Sequence, residues 1–184
     1  MCSLELARGI LNETGGLSGL VGIRPDALQR RGLGEAKAAG VLAALELSRR
    51  LVEAQVPKRE PMGRPERVVA YLVLRYGLRD QEVMGALYLD TRHGLVGKDE
   101  IFRGTLCRAA VEPRQLLFPA LVRGAAALVV FHFHPSGDPS PSLEDLSFTR
   151  RLAEAGEAVG VRLLDHLIIG GTRRWVSLRD RGAF

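Results

Sequence analysis

Ala125-Ala126-Ala127-Leu128-Val129-Val130-Phe131-His132-Phe133-His134-Pro135-Ser136-Gly137-Asp138-Pro139-Ser140-Pro141-Ser142-Leu143-Glu144-Asp145 is the stretch on which fold and chemistry both turn. The apolar run from Ala125 to Phe131 is short, as a buried strand is, and it delivers two histidines. On an extended chain alternate side chains share a face, so His132 and His134 point one way and Phe133 the other. Pro135, Gly137, Pro139 and Pro141 then forbid regular structure and impose a stiff loop. Ser142 reads as the cap of the next helix, which places Asp145 in its first turn. Two imidazoles at a strand end therefore face a carboxylate at a helix start, the outline of a metal site.

Downstream, Phe148, Leu152, Ala155 and Val159 fall on one helical face, and Gly160 ends that helix. Val161–Ile169 reads as a strand, Gly170-Gly171 as a turn, and Thr172–Leu178 as the last strand. Alternation puts Asp165 on the same face as Val161, Leu163, Leu167 and Ile169, where a carboxylate needs a partner. His166 points the other way. A structural hydrogen bond is the favoured role for each, over direct catalysis.

Upstream, Val68, Val69, Leu72, Val73 and Tyr76 recur at helical spacing up to Gly77. Glu82–Asp90 reads as a strand, Thr91-Arg92-His93-Gly94 as a turn, and Leu95 to Gly104 as the returning antiparallel strand. His93 is a surface turn residue on this reading. Thr105–Ala109 is a further strand, with Cys107 as a small buried residue. Glu112-Pro113 opens a helix with Leu116, Leu117, Ala120 and Leu121 on its apolar face, and Gly124 stops it. Helix, two strands, helix, strand, loop, helix, two strands is the order of an α/β sandwich around a mixed sheet.

Residues 1–54 read as a helical domain and 55–65, with Pro57, Pro61 and Pro65, as a linker to the domain over 66–184. A short helix from Pro25 or Asp26, the turn Gly32-Leu33-Gly34 and a long Ala/Leu helix to Arg50 fit a helix-hairpin-helix. Gly32 and Gly34 would let the backbone turn, and the second helix's amides would hold a DNA phosphate with Lys37, Arg30 and Arg31 nearby. The same residues also fit no more than a helical turn capping a small bundle. The 184 residues carry a net charge of +5, which permits such binding without establishing it. Two cysteines cannot build a disulfide framework or a thiolate zinc site. No apolar run reaches the ~20 residues of a membrane span, and the first residues lack a signal-peptide pattern, so a cytoplasmic protein is expected.

A catalytic zinc takes about three protein ligands and leaves one position open, and His132, His134 and Asp145 supply that set. The base that is not a ligand is Glu82, which opens a strand directly after a helix. Ser142 admits two roles at once: partner of Asp145 in a Ser-x-x-Asp cap, and hydroxyl donor to the oxyanion of a tetrahedral intermediate.

The pattern His-x-His, seven residues, Ser, two residues, Asp resembles the JAMM motif of the MPN-domain metalloproteases, with Glu82 in the place of the upstream glutamate. His134-Pro135-Ser136-Gly137-Asp138-Pro139, Phe102-Arg103-Gly104-Thr105-Leu106 and Asp165-His166-Leu167-Ile168-Ile169-Gly170 are similar to the bacterial RadC family. Phe133 stands where that family usually has Asn, and the helical region is shorter than usual. The resemblance implies an MPN domain with a cytidine-deaminase-like mixed sheet flanked by helices. It also implies one Zn²⁺ per chain on His132, His134 and Asp145, with Glu82 as base and Ser142 at the oxyanion. Hydrolysis of a peptide or isopeptide bond in a protein or peptide substrate is the expected activity. A DNA-associated accessory protein, binding through Gly32, Gly34 and Lys37 around a structural metal, is the alternative.

Overall fold

In a computed structural model the described residues are 3–20, 23–55, 62, 64–76, 81–104, 111–171 and 174–184. The chain divides into two compact units, residues 1–56 with 72–78, and residues 57–71 with 79–184. The linker residues 56–61 and 63, the helix stop Gly77 and the strand expected over 105–109 lie outside the described residues.

The first unit is built on α1 (Ser3–Thr14), a 3-10 turn at Leu17–Leu20, α2 (Pro25–Arg30) and α3 (Glu35–Gln55). Pro25 occupies the first turn of α2, where its missing amide hydrogen is no loss. Ile10, Leu20, Leu28, Leu33 and Ala38 form its core.

In the second unit, the described residues form five strands in the order β2-β1-β3-β4-β5. They are β1 (Glu82–Leu89), β2 (Leu95–Gly104), β3 (Ala127–Phe133), β4 (Arg162–Ile169) and β5 (Trp175–Ser177). Only β3 and β4 pair in parallel; the other neighbours are antiparallel. Antiparallel β1 and β2 need only a tight turn, in which Asp90 Oδ1 accepts from the amides of Arg92 and Gly94, both at 2.8 Å. His93 takes the left-handed position of that turn, at φ 60°. Parallel β3 and β4 require a crossover, supplied by the loop and α6 (Leu143–Ala158).

The central strands β1 and β3 are buried along nearly their whole length. On one face Met84, Ala86, Tyr88, Leu128 and Val130 pack with Leu116, Leu117 and Ala120 of α5 (Arg114–Val122) and with Phe148 and Leu152 of α6. Against the opposite face, Val68 near the start of α4 (Pro65–Tyr76) lines a small cavity with Val129 and Leu167.

One expectation about β4 fails here. Leu128 pairs with Leu163 but Val129 pairs with Asp165, so Leu164 is an extra residue in the ladder. The bulge reverses the alternation. Val161 and Leu163 therefore join the core beneath α5 and α6, while Asp165 lies on the face of Val129, with Leu167 and Ile169. The strand read from Ala125 also begins two residues later, at Ala127, and includes His132 and Phe133.

Gly85 shows how tightly the central strands meet. A Cβ there would run into the carbonyl of Asp99 and come within 2.5 Å of the Phe131 ring. Gly85→Ala is therefore expected to destabilise the sheet by about 1–3 kcal/mol through overpacking, read as a lower guanidinium midpoint. An unchanged midpoint would contradict the close packing.

Candidate metal centre

The sheet register explains why three distant parts of the chain converge. Met84 pairs with His132, so both lie on one face, and Glu82 lies on that face two residues before Met84. His134 follows the end of β3, and its amide still donates to the Ile169 carbonyl at 2.9 Å, prolonging the extended path. The two imidazoles consequently sit together, with ring centroids 4.6 Å apart and planes at 90°.

The loop that follows is stiff for more reasons than its prolines. Gly137 takes φ 79° as its amide closes a turn on the His134 carbonyl. A Cβ on Gly170 would strike the Gly137 carbonyl, so the loop rests directly on the backbone at the end of β4. The Ser140 amide donates to Asp138 Oδ1 at 2.9 Å.

Ser142 then caps α6 in a full capping box. Its Oγ accepts from the Asp145 amide at 3.1 Å, while its own amide donates to Asp145 Oδ2 at 2.8 Å. The Ser142 hydroxyl also donates to Asp145 Oδ2, at 2.6 Å. Burial alone would raise the Asp145 pKa, but the hydrogen bonds from His132 and Ser142 outweigh it and hold the carboxyl well below the usual range.

Hydrogen-bond direction orients both rings. Asp145 is ionised and can only accept, so His132 Nδ1–H donates to its Oδ1 at 3.1 Å. The Asp138 carbonyl can only accept, so His134 Nδ1–H donates to it at 2.8 Å. What remains on each ring is Nε2. Both Nε2 atoms are buried and, among the described residues, have no hydrogen-bond partner. A neutral imidazole tied through Nδ1 to a carbonyl or carboxylate is the usual form of a metal-ligating histidine. One ligand atom each from His132, His134 and Asp145 lies within 4.8 Å of the others, as one small cation would require. The residues fit a metal ion, and nitrogen with carboxylate is a donor set suited to zinc.

Glu82 is not part of that trio. Its Oε2 lies 3.9 Å from His132 Nε2, and its side chain is 16% exposed. It borders the same space from β1. The structure thus brings together all five residues singled out around the motif: Glu82, His132, His134, Ser142 and Asp145.

Asp165 and His166 are engaged in hydrogen bonds. Asp165 accepts from the amides of His166 and Arg179 and from Ser177 Oγ. His166 meets Thr149 Oγ1 at 2.7 Å. Thr149 was not singled out from sequence, although its place four residues after Asp145, within a buried helical face, is a usable signal. In the helical unit, Gly32 ends α2 at φ 91° and the Gly34 carbonyl accepts from the Ala38 amide. Arg30 pairs with Asp26 and Arg31 with Glu13, and Lys37 borders an apolar groove.

Burial pushes His166 down to about 3 from an ordinary 6.5, so it is neutral in the folded protein. Below pH 6.5 the unfolded chain takes up a proton that the folded chain refuses, so stability falls as the pH drops from about 6.5 towards 3. The slope approaches about 1.4 kcal/mol per pH unit. Burial raises Asp165 despite its donors, and this offsets part of the loss at the acid end. Denaturation midpoints across this range should fall steeply for the wild type. For His166→Asn they should fall less, and equal slopes would rule out a buried neutral imidazole.

Comparison with known proteins identifies the family. Residues 62–183 match the family model of the RadC-like JAB domain. A UPF0758 protein of Carboxydothermus hydrogenoformans is 40% identical over 183 residues, covering 99% of this chain and 80% of that relative. UPF0758 proteins of Marinobacter nauticus and Halorhodospira halophila are 42% and 43% identical. Those matches cover 97% and 98% of this chain, and 80% of each relative.

Proposed function

This chain belongs to the RadC family of JAB-domain proteins, and on that premise we propose that it is a zinc-dependent hydrolase cleaving a peptide or isopeptide bond. The observation that carries the reading is the pair of buried Nε2 atoms that have no hydrogen-bond partner among the described residues, beside a carboxylate held ionised. The resemblance of the loop to the JAMM motif supports the choice of amide substrates.

His132, His134 and Asp145 would hold the ion. When bound, zinc supplies Lewis acidity, polarising the scissile carbonyl and lowering the pKa of a water in the site towards ~7. Glu82, beside His132 yet outside the trio, takes the proton from the attacking water as the new C–O bond forms. The same carboxyl then passes that proton to the amide nitrogen as the C–N bond breaks. Ser142 first positions Asp145 through the capping box; turned away from Oδ2, its hydroxyl donates to the developing oxyanion.

Glu82→Gln should retain stoichiometric zinc by elemental analysis. It should lose about 10²–10⁴-fold in peptide cleavage when a peptide library is followed by mass spectrometry. Zinc-free wild type that still cleaves the same peptides would overturn the proposal.

A further inference from the structure

The site has a support that the metal trio and Glu82 do not account for. His166 lies on β4, paired with Val130 of β3, on the same sheet face as His132. It is fully buried, and its ring meets Phe148 of α6 edge-on, with centroids 6.3 Å apart. Thr149, also fully buried, lies between His166 and the helix turn that carries Asp145. Its Oγ1 is 2.5 Å from the Asp145 carbonyl and 2.7 Å from His166 Nδ1.

A hydroxyl has one proton, and a carbonyl can only accept. The Thr149 proton therefore goes to Asp145, so His166 must be the donor in the second contact. This fixes His166 as the Nδ1–H tautomer and gives the chain of bonds one direction, from β4 through Thr149 to Asp145. A threonine hydroxyl bonding back four residues is common in helices. A buried imidazole that holds that hydroxyl is not, and among the described residues its Nε2 has no hydrogen-bond partner.

We propose that Thr149 and His166 are positioning residues for the metal site, tying the first turn of α6 to β4 so that the Asp145 carboxylate is held against His132 and His134. Asp145 is then gripped from two sides. Ser142 fixes its amide and carboxylate, and the Thr149–His166 pair fixes its carbonyl. The capping box alone aligns Asp145 with the helix end; the second tie aligns the helix end with the strand that runs beside β3. Neither residue touches the reacting atoms, so both act through Asp145. The inference rests on the zinc reading of the site.

The test uses the full chain and zinc itself, with affinity measured by competition against a chromophoric chelator. Thr149→Val keeps the shape and removes the hydroxyl. It should weaken zinc binding about 10- to 100-fold, as loss of a ligand's hydrogen-bond partner typically does, with an unchanged circular dichroism spectrum. Thr149→Ser should restore near-wild-type affinity. His166→Asn, which keeps a donor near the Nδ1 position, should outperform His166→Leu. Visible spectra of the cobalt-loaded proteins should shift for Thr149→Val and not for Thr149→Ser. Wild-type affinity in Thr149→Val would overturn the proposal. Should that variant fail to fold, imidazole nitrogen NMR of the wild type decides, and a His166 carrying its proton on Nε2 overturns it. A wild type that takes up no zinc would instead overturn the reading beneath it.

Discussion

The reciprocal bonding between Ser142 and Asp145 is the constraint on which the site depends. A capping box usually serves only the helix that it opens. Here the carboxylate that closes the box also accepts from His132, so the end of α6 and the end of β3 are joined through one side chain. The carboxylate is ionised because donors outnumber the cost of burial. An ionised, immobile carboxylate in turn fixes the direction of the His132 ring. Cap, charge and tautomer are one arrangement seen from three atoms.

The sheet supplies the rest. The parallel pair β3–β4 forces a crossover, and the crossover is what brings a helix N-terminus to the carboxyl end of β3. Sites in α/β proteins gather at such ends because loops and helix starts meet there. The antiparallel pairing of β1 with β3 then sets Glu82 beside the same end, because antiparallel strands begin where their partners finish. Gly85 allows β1 to lie close beneath Phe131, and Gly170 lets the loop settle on β4 without a side chain between them.

Local features were legible in the sequence and non-local ones less so. The two histidines, the stiff loop and the Ser-x-x-Asp cap lie within one short segment, and periodicity with cap chemistry reads such segments well. Glu82 was reached by its place at a strand start, and only the register shows that it shares the face of His132. The reading of Asp165 as a neighbour of Leu163 went wrong at Leu164, because a single bulged residue inverts the alternation and leaves no compositional trace. Thr149 is not legible in the sequence because its partner, His166, comes from another strand.

The three metal-ligating candidates span only 13 positions from His132 to Asp145. Glu82 stands about fifty positions earlier in the chain. Closing the shorter loop costs about 1 kcal/mol less chain entropy than bringing in the distant strand, and stiff prolines narrow the search further. The candidate trio is thus nearly local in sequence, whereas Glu82 joins it only through the pairing of β1 with β3. A substitution that loosens the β1–β3 pairing would therefore displace Glu82 from the site while leaving the segment from His132 to Asp145 continuous.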